Sequence, residues 1–332
     1  MHKEHVDTIF GTMNMKQYIY RSDKFPKMEV SLYQAPDCPE KIIAYDYLEC
    51  IENRNLVNPS QIDIKEARQI CQWVLKGGHT PSLESIYLLF NIRGISKVVS
   101  HQLVRHRIGV SIGQRTQRAN SKEYLGKFFE GQHYILPKSI VNALADDDKW
   151  PDLDKKLNIC FGGIQDLYND LLKAGVSQDE ARYIIPQASE TSMNFKVMYN
   201  ALMHVASQRL CTLMQGEMIE VVRLMVQAVK DYNEFLGEWL QPNCLLTGIC
   251  NRNENNQTEK YPKGICHYTI DDTIPVRNKD DTFDLTKFSY FSGCSSVIGF
   301  ALIMKFSNTS YNNGTWNFSI KSLYIKNPSS LK

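Results

Sequence analysis

The chain has no long hydrophobic run. Its longest apolar stretch, Val297 to Met304, falls far short of the ~20 residues that span a bilayer. The opening residues, Met1 to Phe10, hold no apolar core of the kind a secretory leader needs. Net charge is nearly absent: 38 basic residues against 36 acidic ones leave +2, which excludes a nucleic-acid packager or a polybasic membrane protein. Closely spaced cysteine pairs are missing as well. The nine cysteines are an odd number and scattered, so free thiols in a reducing, cytoplasmic setting are expected. Cys244, Cys250 and Cys266, with His267, stand too far apart for the usual zinc pairing, and no metal is expected. With 43% hydrophobic and 22% charged residues the composition is that of a globular protein, which excludes disorder over the whole chain.

One local absence matters more. Between Arg93 and Arg118 there is no Asp or Glu, while Arg93, Lys97, Arg105, Arg107, Arg115 and Arg118 all fall there. These 26 residues carry +6, so the rest of the chain carries −4. Gly109, Ser111, Gly113 and Thr116 lie among the cations. Small residues let backbone amides approach a ligand, and arginine forks match phosphate oxygens. No aromatic residue interrupts the segment from Arg105 to Arg118, as a strand-binding surface would require. A compact phosphate-bearing ligand is therefore favoured over nucleic acid. The competing reading is a solvated basic helix face, which the lack of neighbouring acids weakens.

The periodicity predicts a helix-rich α/β chain with few strands. Met28 to Ala35 alternates as a strand does, and Ile86 to Ile92 reads as a buried strand. Helices are predicted at 41–50, 64–76, around 95–105, at 152–174, at 177–184 and at 195–238, the last interrupted near Met214. In the second of these, Ile64, Ala67, Ile70, Cys71 and Val74 recur at helical spacing. Ser177 and Glu180 fit a capping box. Residues 108–133 read as a loop rich in glycine and polar residues, and no clear periodicity marks residues 1–27.

Three ordered blocks then carry a resemblance. The first runs from Gly78, His79 and Glu84 through Ser96 and Gln102 to Arg105, His106 and Arg107. The second is Gly175 to Arg182, followed by Pro186 and Gln187; the third joins His204, Arg209, Gln215 and Glu217. Together they resemble the flavin-dependent thymidylate synthases, over about residues 28–250. The resemblance implies a helix-rich α/β (α+β) domain with a small mixed or antiparallel sheet. It implies synthesis of dTMP from dUMP, with FAD as cofactor and NADPH and methylenetetrahydrofolate as cosubstrates. It also implies a homotetramer with active sites between subunits, and neither nucleic acid nor membrane as a partner.

Carried over by position, His79, Glu84, Arg105, His106, Arg107 and His204 would serve the flavin. Gln102, Gln114, Arg115, Thr116, Arg118 and Arg182 would bind dUMP. Arg209 would lie near its pyrimidine ring as the catalytic group, stabilising developing negative charge. Each has a plainer reading. His79 could cap a helix, Arg182 could pair with Asp179 on its own helix, and His204 could be a core histidine. Gln215 and Glu217 read as structural.

The chain departs from the family pattern in places. The family's signature serine position holds Arg115, and Thr116 comes into register only if one residue is inserted after Arg107. Ala119 stands where the family often has Tyr, and Asn200 replaces an Arg. A variant enzyme acting on another uracil nucleotide, or a catalytically impaired flavin- or nucleotide-binding homologue, therefore stays open. The expected organisation is an N-terminal extension (1–27), a catalytic domain (28–250) and an appendage of unknown fold (251–332). In the last, Thr315 to Ile325 alternates as a strand would.

Overall fold

The computed structural model describes residues 18–51, 56–118 and 121–247, together with the backbone of 301–312 and 315–326. The chain divides into two compact units, taken in turn. The first is built on a five-stranded antiparallel sheet. Its strands are β1 (Tyr18–Arg21), β2 (Glu29–Gln34), β3 (Tyr87–Ser96), β4 (Val110–Gln114) and β5 (Glu190–Met198). They lie side by side in the order β1-β2-β3-β5-β4. The α/β class with a small antiparallel sheet is thus observed.

Helices surround the sheet. They are α1 (Pro39–Ile51), α2 (Ile64–Gly77), α3 (Lys97–Leu103), α4 (Ser121–Tyr124), α5 (Lys138–Leu144) and α6 (Leu153–Lys173). They continue as α7 (Gln178–Ala181), α8 (Tyr199–Arg209), α9 (Gly216–Tyr232), α10 (Glu234–Gly237) and α11 (Asn243–Thr247). The start of α2 follows from Asp63, whose carboxylate accepts the amides of Lys65 (2.8 Å) and Glu66 (3.4 Å). Its Ala67, Ile70, Cys71 and Val74 are buried, as the spacing predicts. α9 is the central helix. Met218, Val221, Val222, Leu224, Met225, Ala228 and Val229 are all buried, each large side chain contributing roughly 1.5–3 kcal/mol.

β3 runs through the middle of the sheet and delivers the chain to α3. Leu88, Phe90 and Ile92 face the core, and the ladder to β5 then slips between Ile92 and Ile95. Gly94 sits in that slip at φ 63°, and a Cβ there would fall 1.9 Å from the carbonyl oxygen of Lys27. The bulge leaves both Ile95 and Ser96 buried, at 0% and 2% exposure.

Four segments differ from the sequence reading. Residues 195–198, expected to open a long helix, complete β5, in which Thr191, Met193, Phe195 and Val197 are buried on alternate positions. The rest of that stretch is α8, a turn closed by Met214 N–H on Cys211 O (3.0 Å), then α9 and α10, so the break near Met214 is real. The expected loop at 108–133 contains β4 and α4, and Ile95, assigned to a helix face, belongs to β3. Part of the unperiodic N-terminal stretch is β1, paired from Tyr18 with Leu32 to Arg21 with Glu29. Ser22 ties it down by donating to the buried carboxylate of Glu220 (2.7 Å), and Tyr20 donates to Asp231.

In the second unit the described residues form an antiparallel strand pair, β6 (Ala301–Asn312) and β7 (Thr315–Lys326). β7 covers the alternating run Thr315 to Ile325.

Candidate active site

The junction of β3 and α3 is fixed from below by one buried acid. Glu217, 2% exposed on α9, accepts the Ser96 N–H on Oε1 and the Ser96 hydroxyl on Oε2, each at 2.7 Å. Burial nevertheless pushes its carboxyl pKa upward. The same hydroxyl accepts from Val99 N–H (3.2 Å), capping α3. The structural reading of Glu217 therefore holds. α3 then carries Gln102 near its end, and Arg105, His106 and Arg107 follow directly. Gln102 donates to Gln215 (2.5 Å), so this second structural candidate holds a candidate site residue.

Arg105 and Arg107 are exposed just beyond the C-terminus of α3, where the helix dipole favours cations. Among the described residues neither has a carboxylate within ion-pair distance. His106 is half-buried and accepts a hydrogen bond at Nε2 from Nε of Arg209 (3.2 Å), at the end of α8. That bond requires a neutral imidazole. Burial first, then the charges of Arg209 and His204, push its pKa down to about 4. His204 meets the His106 ring edge-on, with centroids 6.4 Å apart. It is exposed, which removes the core-histidine reading.

A second group forms around Asp179 on α7. Its Oδ2 pairs with Nε of Arg118 at 3.0 Å. Arg182 donates from Nε to the Asp179 backbone oxygen (3.1 Å), and its outer nitrogen lies 3.9 Å from Oδ1. The anticipated pairing of Arg182 with Asp179 is present, and the same carboxylate also holds Arg118. Lys97 belongs to this neighbourhood: burial and the charge of Arg182 hold its pKa below the usual lysine range. The N-terminus of α7 shows half of the expected capping box. Ser177 Oγ accepts from Glu180 N–H (3.3 Å), while the Glu180 carboxylate bonds the Ser177 hydroxyl (3.1 Å) rather than the backbone.

Gln114 donates to Ser100 Oγ (3.0 Å) and Thr191 Oγ1 (3.4 Å), closing β4 onto α3 and β5. Thr116 accepts the Arg118 N–H (3.1 Å). Arg115 lies over the ring of Tyr124, 4.4 Å from its centroid.

His79 and Glu84 bracket a 3-10 turn (Thr80–Leu83). Gly78, left-handed at φ 70°, is the residue that caps α2, so His79 is not the C-cap. The His79 ring meets Tyr47 edge-on at 5.3 Å, and its Nε2 is buried with no hydrogen-bond partner among the described residues. Glu84 is exposed and accepts from Asn200 Nδ2 (3.1 Å). No hydrogen bond among the described residues joins this pair to the Arg105–Arg107 turn. Asp179, Lys97 and Tyr124 join these clusters, and none of them is a candidate site residue in the sequence reading. Ala119, Cys250 and Cys266 lie outside the described residues, and Cys244 lies in α11.

An antiparallel sheet flanked by helices carries two arginine clusters at the ends of α3, α7 and α8, an arrangement chemically suited to anions. Residues 31–232 match the family described as thymidylate synthase complementing protein, a span containing every candidate site residue. The flavin-dependent thymidylate synthase of Pyrococcus abyssi is 31% identical over 185 residues, covering 54% of this chain and 71% of that protein. The one from Geobacter sulfurreducens is 27% identical over 224 residues, covering 67% and 90%. The chain belongs to the flavin-dependent thymidylate synthase family. In fold it is similar to the UMP/dUMP methylase PolB of Streptomyces cacaoi bound with 5-Br dUMP (TM-score 0.52, 17% identity, 66% and 95% coverage). It is also similar to the Helicobacter pylori ThyX complexed with FAD and dUMP (TM-score 0.50, 18% identity, 64% and 99% coverage).

Proposed function

We propose that the enzyme makes dTMP from dUMP in an FAD-dependent reaction, taking its carbon from methylenetetrahydrofolate and its reducing power from NADPH. Family membership supports the reaction class. The observation that carries the reading to these residues is the state of Arg105 and Arg107, two exposed guanidiniums with no carboxylate beside them among the described residues. A pyrophosphate-bearing cofactor suits them. The buried, unpartnered Nε2 of His79 offers it a further polar contact. Bound FAD supplies the hydride chemistry; the chain supplies charge and orientation.

In this reading Arg105, His106, Arg107, His79, Glu84 and His204 serve the flavin. Gln102, Gln114, Arg115, Thr116, Arg118 and Arg182 hold dUMP. Arg209, fixed by neutral His106, faces the pyrimidine and stabilises the negative charge that builds there. The catalytic unit is assigned to residues 28–250, with 1–27 as an extension and 251–332 as an appendage. A homotetramer with sites between subunits is part of the same proposal. Ile108 (91% exposed) and Tyr183 (86% exposed), adjoining Arg107 and Arg182, are apolar surface that a neighbouring subunit would cover. No helix of the described residues is long and apolar enough to cross a membrane, and a cytoplasmic setting is proposed.

Asn200 favours a second reading, a flavin enzyme methylating another uracil nucleotide. Its amide is engaged with Glu84 and brings no cation where the family pattern has Arg. One assay separates the two: purified protein with FAD, NADPH and methylenetetrahydrofolate, offered dUMP or UMP. Release of dTMP from dUMP is expected. Turnover of UMP alone would favour the second reading, and a yellow protein that binds dUMP without turnover would indicate a binding homologue.

A further inference from the structure

We propose that Arg115 is the principal receptor for the phosphate of the substrate nucleotide and that Tyr124 is the residue that positions it. The inference rests on the nucleotide reading above and goes beyond it by ranking the arginines. Arg118 already gives its Nε to Asp179 at 3.0 Å, and Arg182 gives its own to the Asp179 backbone oxygen. Arg115 is held differently. Its N–H donates to Ser192 O (2.8 Å), which fixes its backbone to the start of β5. Its guanidinium lies 4.4 Å from the centroid of the Tyr124 ring. That ring is in turn stacked on His133, with centroids 4.1 Å apart and planes 27° from parallel.

A cation–π contact uses the flat face of the guanidinium and leaves the N–H donors around its edge open. It therefore orients the side chain without occupying its hydrogen bonds. Among the described residues no carboxylate is ion-paired with Arg115. Glu190 lines the same recess, and its carboxylate is paired with Lys27 at 3.4 Å. Two hydroxyls line the recess as well. Thr116 Oγ1 accepts from Arg118 N–H and Thr191 Oγ1 from Gln114, so both retain a hydrogen to donate. An oriented fork with two hydroxyl donors beside it is the chemistry of a phosphate receptor. In the register that allows one inserted residue after Arg107, this cation stands one position ahead of Thr116.

The test compares dUMP with deoxyuridine, the same nucleoside without its phosphate, by calorimetric titration and competition on the full-length FAD-loaded protein. Arg115 is exposed, so Arg115→Gln leaves the fold intact. It should weaken dUMP about tenfold or more while leaving deoxyuridine affinity and FAD content unchanged. Tyr124→Leu should give the same selective loss, Tyr124→Phe should restore wild-type affinity, and Arg115→Gln/Tyr124→Leu should be no worse than Arg115→Gln. Equal losses for both ligands, a Tyr124→Phe variant as poor as Tyr124→Leu, or a silent Arg115→Gln would overturn the assignment while dUMP binding by wild type stands. Wild-type protein that binds neither ligand would overturn the nucleotide reading and this assignment together.

Discussion

Arg209 at the end of α8 donates its Nε–H to Nε2 of His106, just past α3, at 3.2 Å. The bond exists only while the imidazole is neutral, and the surroundings favour that form by holding the pKa near 4. The unfolded chain returns His106 to about 6.5. As pH falls from 6.5 towards 4 the unfolded state takes up a proton that the folded state refuses, so this group lowers stability across that window. Above 6.5 it contributes no pH dependence. His106→Gln keeps an acceptor for Arg209 and removes the titration. Its thermal midpoint should gain on wild type as pH drops from 6.5 to 4, and the two should run parallel above 6.5. A wild-type imidazole titrating near 6.5 by NMR would contradict the geometry.

Asp179 joins two arginines that are far apart in sequence, yet its ion pairs are solvent-exposed, with Arg118 at 72% side-chain exposure. Exposed pairs are worth little, so Asp179→Ala should cost less than about 1 kcal/mol in urea unfolding. Arg182→Ala should behave otherwise in binding. If Arg182 holds substrate, dUMP affinity is lost while FAD remains bound. Parallel loss of dUMP, FAD and assembly would mark Arg182 as structural.

The cation cluster was legible because no acid occurs between Arg93 and Arg118, a feature of composition alone. Its partners were not. Tyr124 is brought to Arg115, and Asp179 to Arg118, by tertiary folding; of these contacts' residues the local spacing marks only Asp179, as the i, i+3 partner of Arg182. Helix α2 was legible through its periodic apolar face, and α6 was placed within a residue of its ends. β5 was hidden because its alternation runs straight into Tyr199 of α8, with no glycine or proline between. β4 was hidden because five residues at a sheet edge, with glycine among them, look like loop. The bulge at Gly94 was invisible, since its need for glycine comes from Lys27 on another part of the chain.

That need gives a stability prediction. At φ 63° an L-residue is strained, and a Cβ on residue 94 would stand 1.9 Å from the Lys27 carbonyl oxygen. Both are backbone-determined, so no side-chain rotation relieves them. Gly94→Ala should cost at least about 4 kcal/mol, seen as loss of soluble expression or a collapsed melting temperature. Gly163, whose added Cβ would meet nothing within 4 Å on helix α6, is the control: Gly163→Ala should be neutral or stabilising by about 1 kcal/mol.

Glu217 gives the sharpest separation of structure from chemistry. Its carboxylate is buried and receives two hydrogen bonds from Ser96, the residue that turns β3 into α3. Removing it leaves a buried N–H and a buried hydroxyl without their acceptor, at a cost of about 3 kcal/mol. Burial raises the carboxyl pKa above the ordinary glutamate value, so the folded state holds its proton to higher pH than the unfolded chain does. The ionised form is therefore the less favoured one in the fold, and this group's stability contribution declines as pH rises from the unfolded pKa through the folded one. Glu217→Gln, neutral at every pH and still carrying one carbonyl acceptor, should be clearly less damaging than Glu217→Ala in urea unfolding at neutral pH. FAD content and dUMP affinity should fall only to the extent that the folded fraction falls. A Glu217→Gln protein that folds to wild-type stability but binds no dUMP would place Glu217 in the binding machinery instead.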